Sequence, residues 1–203
     1  MRIIGGQAGG RILKVPRGLD VRPTPDLVKQ AIFNRLGAFV GGARVLELFA
    51  GSGALGLECL SRGAARVVAV ERSRRHGAFI RRNLRGAGLD PARFTLLVMD
   101  VFAALPRLAA EGARFDLVMA DPPFGPKTRG ARSTSLSQRL LDERGLPGLL
   151  APDGCLVLGH TARDEVEIPP WWREEKRQRH GDSVMRFLAP AGEMIRECPS
   201  ARA

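Results

Sequence analysis

The sequence predicts an α/β protein with a doubly wound, mostly parallel sheet. From Gly41 onward, short apolar runs typical of strands alternate with longer segments of helical period. A glycine-rich turn follows the first of these runs, as in sheets that bind a ligand at their carboxyl edge. The 203 residues, 44% of them hydrophobic, are enough for one globular domain with a full core.

Five strands and four helices are predicted in alternation. The strands cover residues 44–49, 66–71, 94–99, 115–120 and 154–159. The helices cover residues 55–62, 74–86, 101–111 and 135–150, each with apolar residues three or four positions apart. Helices that connect parallel strands in this way lie on both faces of a sheet.

The two ends of the chain differ from this central pattern. Residues 172–180 and 184–188 flank the turn sequence Gly181-Asp182-Ser183, so an antiparallel hairpin is predicted to complete a seven-stranded sheet. Residues 1–15 predict a small basic β-hairpin, and Asp26 is predicted to cap a helix that ends at Leu36. We expect an N-terminal appendage over 1–40, a main domain over 41–190 and a flexible tail over 191–203.

The charge of the chain indicates a polyanionic partner. Lysine and arginine number 32 against 21 acidic residues, which gives a net charge of +11. Such a positive field attracts nucleic acid, although arginine enrichment for solubility alone is the alternative. No apolar run approaches the roughly 18 to 20 residues of a membrane span, and residues 1–10 lack a secretion signal. We therefore expect a cytoplasmic protein without a membrane partner.

The sequence predicts no metal site. Its three cysteines and three histidines have no partners at metal-ligand spacing. The cysteines are expected to be reduced and mostly buried, and the histidines to lie on the surface or in loops. These residues are Cys59, Cys155 and Cys198, and His76, His160 and His180.

A nucleoside-binding turn is predicted after the first strand. Gly51, Gly53 and Gly56 have the spacing GxGxxG, which allows a tight turn and brings free helix N–H groups close to a ligand. Glu71 ends the next strand, where an acidic side chain can accept both hydroxyls of a ribose. Asp100 ends the third strand and is expected near the adenine edge of the same ligand.

The acidic lining favours one kind of nucleoside. Glu47 places a carboxylate beside the glycines, which suits the sulfonium and ammonium of S-adenosylmethionine better than the pyrophosphate of a nicotinamide dinucleotide. A nicotinamide-dependent dehydrogenase is the alternative. The predicted cofactor-binding residues are Glu47, Phe49, Gly51, Ser52, Gly53, Gly56, Glu71, Arg72, Asp100 and Val101.

Asp121-Pro122-Pro123-Phe124 after the fourth strand is the predicted catalytic motif. The exocyclic amino group of a base is a poor nucleophile because its lone pair is delocalised into the ring. The Asp121 carboxylate and the Pro122 carbonyl can each accept one N–H, which aims the lone pair at a methyl carbon. The prolines fix the turn without adding donors, and Phe124 offers a face on which an extruded base can stack.

Taken together, these residues resemble the amino methyltransferases of nucleic acids, and more narrowly the bacterial small-subunit ribosomal RNA guanine-N2 methyltransferase D family. Further matching segments are residues 1–6, Gly10-Arg11, Arg22-Pro23-Thr24, 31–34, 61–64 and 181–183. The resemblance implies a Rossmann-like, class I fold dependent on S-adenosylmethionine, and methylation of a guanine N2 in 16S ribosomal RNA without a metal. The family favours Asp where Glu47 stands and Tyr where Phe124 stands.

Basic residues at both sides of the predicted site are candidate RNA contacts. They are Arg2, Arg11, Lys14 and Arg22, and Lys127, Arg129 and Arg132 in a glycine-bearing loop over 126–137. A purely solvated role for that loop is an equal alternative. The arginines at 72, 74, 75, 81, 82 and 85 are interpreted as a solvated face.

The expected partner is ribosomal RNA within a small-subunit particle, bound by a monomer. Two alternatives remain open at the level of sequence. One is adenine-N6 methylation of DNA or RNA, because that chemistry uses the same motif. The other is a catalytically silent RNA-binding or assembly factor that keeps the fold.

Overall fold

A seven-stranded sheet organises the computed structural model, which describes residues 1–15, 25–123 and 132–192. Its order is β3-β2-β1-β4-β5-β7-β6, with β1 to β5 parallel and β7 antiparallel to both β5 and β6. The strands are β1 Arg44–Leu48, β2 Arg66–Val70, β3 Phe94–Leu97, β4 Phe115–Ala120, β5 Leu150–Thr161, β6 Trp172–His180 and β7 Ser183–Pro190. The predicted fold class is confirmed.

Five α-helices lie in the described part of the chain. They are α1 Asp26–Leu36, α2 Ala54–Ser61, α3 Arg74–Gly86, α4 Val101–Ala110 and α5 Leu136–Asp142. Short 3-10 turns cover Gly37–Val40, Pro91–Arg93 and Pro147–Leu149. In the same ranges, no helix combines the length and the apolar character that crossing a membrane requires.

Alternate residues of β1 supply two separate cores, one on each face of the sheet. Val45 packs in a cluster with side chains of α1, α2 and α3, whereas Leu46 and Leu48 pack with α4 and α5. Because successive side chains of a strand point to opposite faces, a nearly continuous apolar run is what a strand covered on both sides requires. We call the first side the α2 face and the second the α4 face.

Two element boundaries differ from the prediction. The helix predicted over 135–150 ends at Asp142, because Gly145 and Pro147 follow and proline cannot continue the backbone hydrogen bonding of a helix. Strand β5 begins at Leu150 and includes Pro152 and Gly154, four residues before the predicted start. The tail beyond residue 192 lies outside the described residues.

The N-terminal segment, residues 1–15, folds back on itself as a short antiparallel hairpin, as predicted. It forms one antiparallel bridge between Arg2 and Ile12, because tight turns around its glycines interrupt the pairing. Asp26 differs from its predicted role as helix cap. Pro25 occupies the N-cap of α1, and the Asp26 carboxylate in the first turn pairs with Lys29 at 3.3 Å and with Arg2 at 3.4 Å.

Buried polar side chains fasten the N-terminal segment to α2. The fully buried Glu58 accepts hydrogen bonds from the amides of Ile4 at 2.7 Å and Gly5 at 2.9 Å, and also pairs with Arg62 at 2.8 Å. Ser61 accepts from the Ala8 amide and donates to the Gly5 carbonyl. Three apolar side chains of the segment, Ile3, Ala8 and Leu13, enter the core of the α2 face. The boundary at residue 40 stays a prediction.

Two histidines expected at the surface are buried instead. His76 lies in α3, and His160 lies in β5 with 1% exposure. The His160 Nδ1 contacts the Thr161 carbonyl at 2.8 Å, and its Nε2 accepts from Arg186 at 2.9 Å. Burial lowers the pKa of His160 to about 4, so it is a neutral structural acceptor at neutral pH. Cys59 and Cys155 are buried thiols, as expected.

We predict that Glu58→Ala lowers the free energy of unfolding by about 2 to 4 kcal/mol, because two amides and the Arg62 guanidinium lose their acceptor. Urea denaturation measures the change. Glu111→Ala is the matched control, since it removes an exposed i,i+4 pair with Arg107 and should cost only about 0.5 kcal/mol or less. Equal losses in the two variants would contradict the anchoring role of Glu58.

Candidate active site

The candidate site lies where β1, β2 and β4 end at the carboxyl edge of the sheet. Leu48 pairs with Val70 of β2 on one side and with Ala120 of β4 on the other. The chain proceeds from β1 toward β2 in one direction and from β4 toward β5 in the other, so the edge between β1 and β4 is the switch point of the sheet. Ligands of doubly wound sheets bind in the crevice at this point.

The glycine turn after β1 adopts a backbone that residues with side chains rarely take. Gly51 has φ 56°, and Gly53 has φ 76° at the N-cap of α2. A side chain at Gly53 would also lie 3.2 Å from Ile80 of α3. The turn therefore requires glycine at these positions and presents the first amides of α2 toward the carboxyl edge.

Glu71, directly after β2, is bonded to this turn. One of its carboxylate oxygens accepts from the Gly51 amide at 2.8 Å, and the other accepts from the Ser73 amide at 2.8 Å. Each carboxylate oxygen can accept a second hydrogen bond, so Glu71 can hold the turn and still accept hydroxyl donors from a ligand. Arg72, beside it, is exposed.

Glu47 lies beneath the turn on the α2 face and is 2% exposed. Its Oε1 accepts from the Leu55 amide at 3.1 Å, whereas its Oε2 is buried without a hydrogen-bond partner among the described residues. Gly56 leaves room for this oxygen, since a Cβ at that position would lie 2.6 Å from it.

Burial raises the pKa of Glu47 to about 8, so in this structure the side chain is protonated at neutral pH. A cationic ligand beside the turn would lower that pKa and restore the charge. An acceptor that lacks a donor, next to a glycine turn and a second carboxylate at Glu71, fits the ammonium and nucleoside parts of S-adenosylmethionine.

Two aromatic rings lie close to the turn, that of Phe49 after β1 and that of Phe102 in α4. Phe49 has φ 57°, an unfavourable backbone conformation for a bulky residue, and its ring meets that of Phe102 edge-on at 6.2 Å. Asp100 is exposed and caps α4 by accepting from the Phe102 amide at 2.9 Å, while Val101 is buried. Ser52 is buried beside the turn.

Asp121 follows β4 and fits into a space that Gly159 of β5 leaves open. A Cβ at Gly159 would lie 2.3 Å from Asp121 Oδ1, so only glycine permits the present position of the carboxylate. Pro122 is buried and Pro123 is exposed, whereas Phe124 lies outside the described residues. The hydroxyl of Ser137 donates to the Gly159 carbonyl at 3.0 Å and fixes this part of β5.

The structure separates the candidate RNA contacts into two groups. Arg2, Arg11 and Lys14 are exposed on the N-terminal segment. Arg132 pairs with Asp142 at 2.6 Å and with Glu167 at 3.1 Å, and Arg2 of the first group pairs with Asp26, so carboxylates of the protein already compensate these two charges. Arg22, Lys127 and Arg129 lie outside the described residues.

Two site-supporting residues were missed at the level of sequence. Asn83 of α3 is buried and donates to the carbonyls of Ser52 and Lys14, while its oxygen accepts from the Lys14 amide. No local pattern distinguishes such an asparagine from a surface one. Gly159 offered a signal, because a glycine inside an apolar strand often marks a close approach by another group.

Comparisons with known proteins agree with this architecture. The family model described as Conserved hypothetical protein 95 matches residues 1–189. Ribosomal RNA small subunit methyltransferase D of Escherichia coli (strain K12) is 39% identical over 188 residues, which cover 92% of this chain and 88% of that protein.

Solved structures show the same fold. A hypothetical protein of Thermus thermophilus, TTHA0928, matches with a TM-score of 0.76 and 30% identity over 93% of this chain and 99% of the other. SMU.776, solved in complex with S-adenosylhomocysteine, matches with a TM-score of 0.62 and 19% identity over 80% of this chain and 48% of that one. The chain therefore has the Rossmann-like, class I methyltransferase fold.

We predict that the contribution of Glu47 to the stability of the protein falls as pH rises from about 4.5 to about 8, opposite in sign to that of His160, whose lowered pKa makes its contribution rise up to about pH 6.5. In that window the unfolded chain releases the proton of Glu47 while the folded chain retains it, because the folded pKa is raised from 4.5 to about 8. Glu47→Gln keeps the shape and removes this titration, so its thermal midpoint should decline less between pH 5 and pH 8. Parallel pH profiles for the two proteins would show that Glu47 does not titrate in this range.

Proposed function

The chain belongs to the Conserved hypothetical protein 95 family, and we propose that it transfers a methyl group from S-adenosylmethionine to the exocyclic N2 amino group of a guanine in small-subunit ribosomal RNA. The observation that carries this proposal is the placement of Asp121 in the slot left by Gly159, at the same sheet edge as the glycine turn. A carboxylate next to a nucleoside site can accept a hydrogen bond from the amino group of a bound base and so orient it.

The cofactor residues act as a preorganised surface in this proposal. The glycine turn at Gly51 and Gly53, the Glu71 carboxylate and the unpartnered oxygen of Glu47 would hold S-adenosylmethionine, with Phe49, Ser52, Gly56, Arg72, Asp100 and Val101 around them. When bound, this cofactor supplies a methyl group already activated by a sulfonium. The residues therefore only have to bind and orient, and no metal is needed.

In this proposal, the motif after β4 orients the amine. The Asp121 carboxylate and the Pro122 carbonyl each accept one N–H of the target amino group, which turns its lone pair toward the methyl carbon. Bound S-adenosylmethionine would supply the methyl group in exchange for its C–S bond, and the nitrogen held by these acceptors would release one proton to solvent. Because the amine becomes acidic only as it gains the methyl group, Asp121 need not be a strong base. Phe124 is proposed to stack on the base.

Ribosomal RNA is proposed as the substrate on two grounds. The net charge of +11 suits a polyanion, and Arg2, Arg11 and Lys14 are exposed on a segment that is anchored to the core. The E. coli relative is a small-subunit ribosomal RNA methyltransferase by name. We propose that a monomer acts in the cytoplasm on ribosomal RNA in a small-subunit particle or assembly intermediate, with Arg22, Lys127, Arg129 and Arg132 as further contacts.

We predict incorporation of label from S-adenosylmethionine into small ribosomal subunits or their free RNA, but not into DNA. Mass spectrometry of the digested nucleosides should identify N2-methylguanosine, because the proposed motif orients a guanine amine. Asp121→Ala should reduce turnover by about 100-fold or more, since the oriented acceptor is lost, with cofactor affinity nearly unchanged. N6-methyladenosine as the product would overturn the guanine assignment, and absence of any transfer would overturn the enzyme.

We also predict that Gly159→Ala reduces turnover at least about tenfold, because its methyl group would displace the Asp121 carboxylate from its slot. Affinity for S-adenosylhomocysteine, measured by calorimetry, should remain within about twofold of the original. Gly145→Ala is the matched control, since a Cβ there meets nothing within 4 Å. A Gly159→Ala protein with the turnover of the control would show that the slot does not position Asp121.

A further inference from the structure

Helix α3 carries an unusual concentration of positive charge on its exposed side. Its sequence, RRHGAFIRRNLRG, contains five arginines and no carboxylate. The five arginines are exposed, whereas Ile80 and Leu84 of the same helix are buried against the sheet. The sequence pattern predicts a solvated face for these arginines, but two features of the structure favour a different role.

The first feature is alignment. Arg74, Arg81 and Arg85 are separated by seven and four positions, so they lie along one ridge of the helix, which we call the arginine row. The row spans about 16 Å at 1.5 Å per residue. It begins three residues after Glu71, at the carboxyl edge of the sheet. A row of this length can face several phosphates of a nucleic-acid strand.

The second feature is that the positive charges of the row have no acidic partners within the described residues. Within the described residues, none of the three arginines of the row forms an ion pair, although Arg107 pairs with Glu111 and Arg44 pairs with Asp116 elsewhere. Like charges at i,i+4 destabilise a helix by about 0.2 to 0.5 kcal/mol per pair. A face selected for solubility alone would relieve this repulsion with acidic residues, whereas a phosphate-binding face would not.

Acidic residues are also scarce on the surrounding surface. The described part of residues 1–93 contains five acidic side chains, and three of them are buried. The two that are not buried are Asp26, which pairs with Arg2 and Lys29, and Asp90. The buried ones are Glu47, Glu58 and Glu71. The positive field of this side of the molecule is therefore little reduced by nearby carboxylates.

Asn83 connects α3 to the N-terminal segment on the side opposite the row. Asn83, in the middle of α3, accepts from the Lys14 amide at 2.8 Å and donates to the Lys14 carbonyl at 2.9 Å. Asn83 follows Arg74 by nine positions, about half a turn around the helix axis, so these two bonds hold the segment that carries Arg11 and Lys14 on the side of α3 away from the row. Asn83 also donates to the Ser52 carbonyl at 3.0 Å, so the same side chain reaches the cofactor turn.

We propose that the arginine row forms a surface that binds the phosphate backbone of the RNA strand away from the target nucleotide. This inference rests on the proposed function, and it adds a docking surface on the α2 face to the contacts at the mouth of the site. Phosphate contacts of this kind fix the register of the substrate without reading its sequence.

The test compares two variants that lose the same charge. Arg74→Gln/Arg81→Gln/Arg85→Gln removes the row, and Arg107→Gln/Arg114→Gln/Arg179→Gln removes three exposed arginines outside the proposed surface. RNA affinity is measured for both, and for the original protein, over a range of salt concentrations. The row variant should show a salt slope that is smaller by about two, because three phosphate contacts each contribute roughly 0.7 to 0.9.

The control variant should keep the original slope within about 0.5, since any residual loss reflects only the long-range field. Calorimetric affinity for S-adenosylhomocysteine should be unchanged in both variants, which shows that the cofactor turn is intact. Equal slopes in the two variants would overturn the docking surface while the methyl transfer of the original protein still stands. If the original protein transfers no methyl group to RNA, the proposed function fails, and the docking surface fails with it.

Discussion

The register of β1 between its two neighbours is the constraint on which the rest of the structure depends. Leu48 pairs with Val70 on one side and with Ala120 on the other, so the three strands end at the same level. The turn that begins at Phe49, the carboxylate of Glu71 and the carboxylate of Asp121 therefore leave the sheet at one edge. A shift of one residue in either pairing would turn the side chains of that strand to the opposite face and separate these groups.

Buried polar groups on the α2 face connect this edge to the remainder of the molecule. Glu58 holds the N-terminal segment through two amides, and Asn83 holds the end of that segment and the Ser52 carbonyl together. Each side chain is fully or nearly fully buried, so the loss of one bond leaves a costly unsatisfied group. The basic segment is thus a fixed part of the domain surface, and its arginines and lysine are held in a defined position relative to α3.

Glycine determines the shape of the site as much as the functional side chains do. Gly53 provides a left-handed backbone at the start of α2, which no ordinary side chain would adopt without strain. Gly56 and Gly159 act differently, since each leaves space for a carboxylate oxygen, that of Glu47 and that of Asp121. Two acidic side chains with separate roles are therefore positioned by the absence of a Cβ on the neighbouring element.

The sequence by itself determined the order of the elements, the glycine turn, the acidic strand ends and the motif after β4, because each depends on local pattern and spacing. Only the tertiary structure decided which distant residues support them. Asn83 lies 69 positions from Lys14, and Gly159 lies 38 positions from Asp121, so no local rule connects either pair. The burial of Glu47, which raises its pKa, and the restriction of the N-terminal hairpin to a single bridge likewise follow from packing of the whole chain. Hydrophobic period and turn chemistry act within a few residues, whereas burial and close approach depend on contacts that form only when the sheet and its helices are assembled.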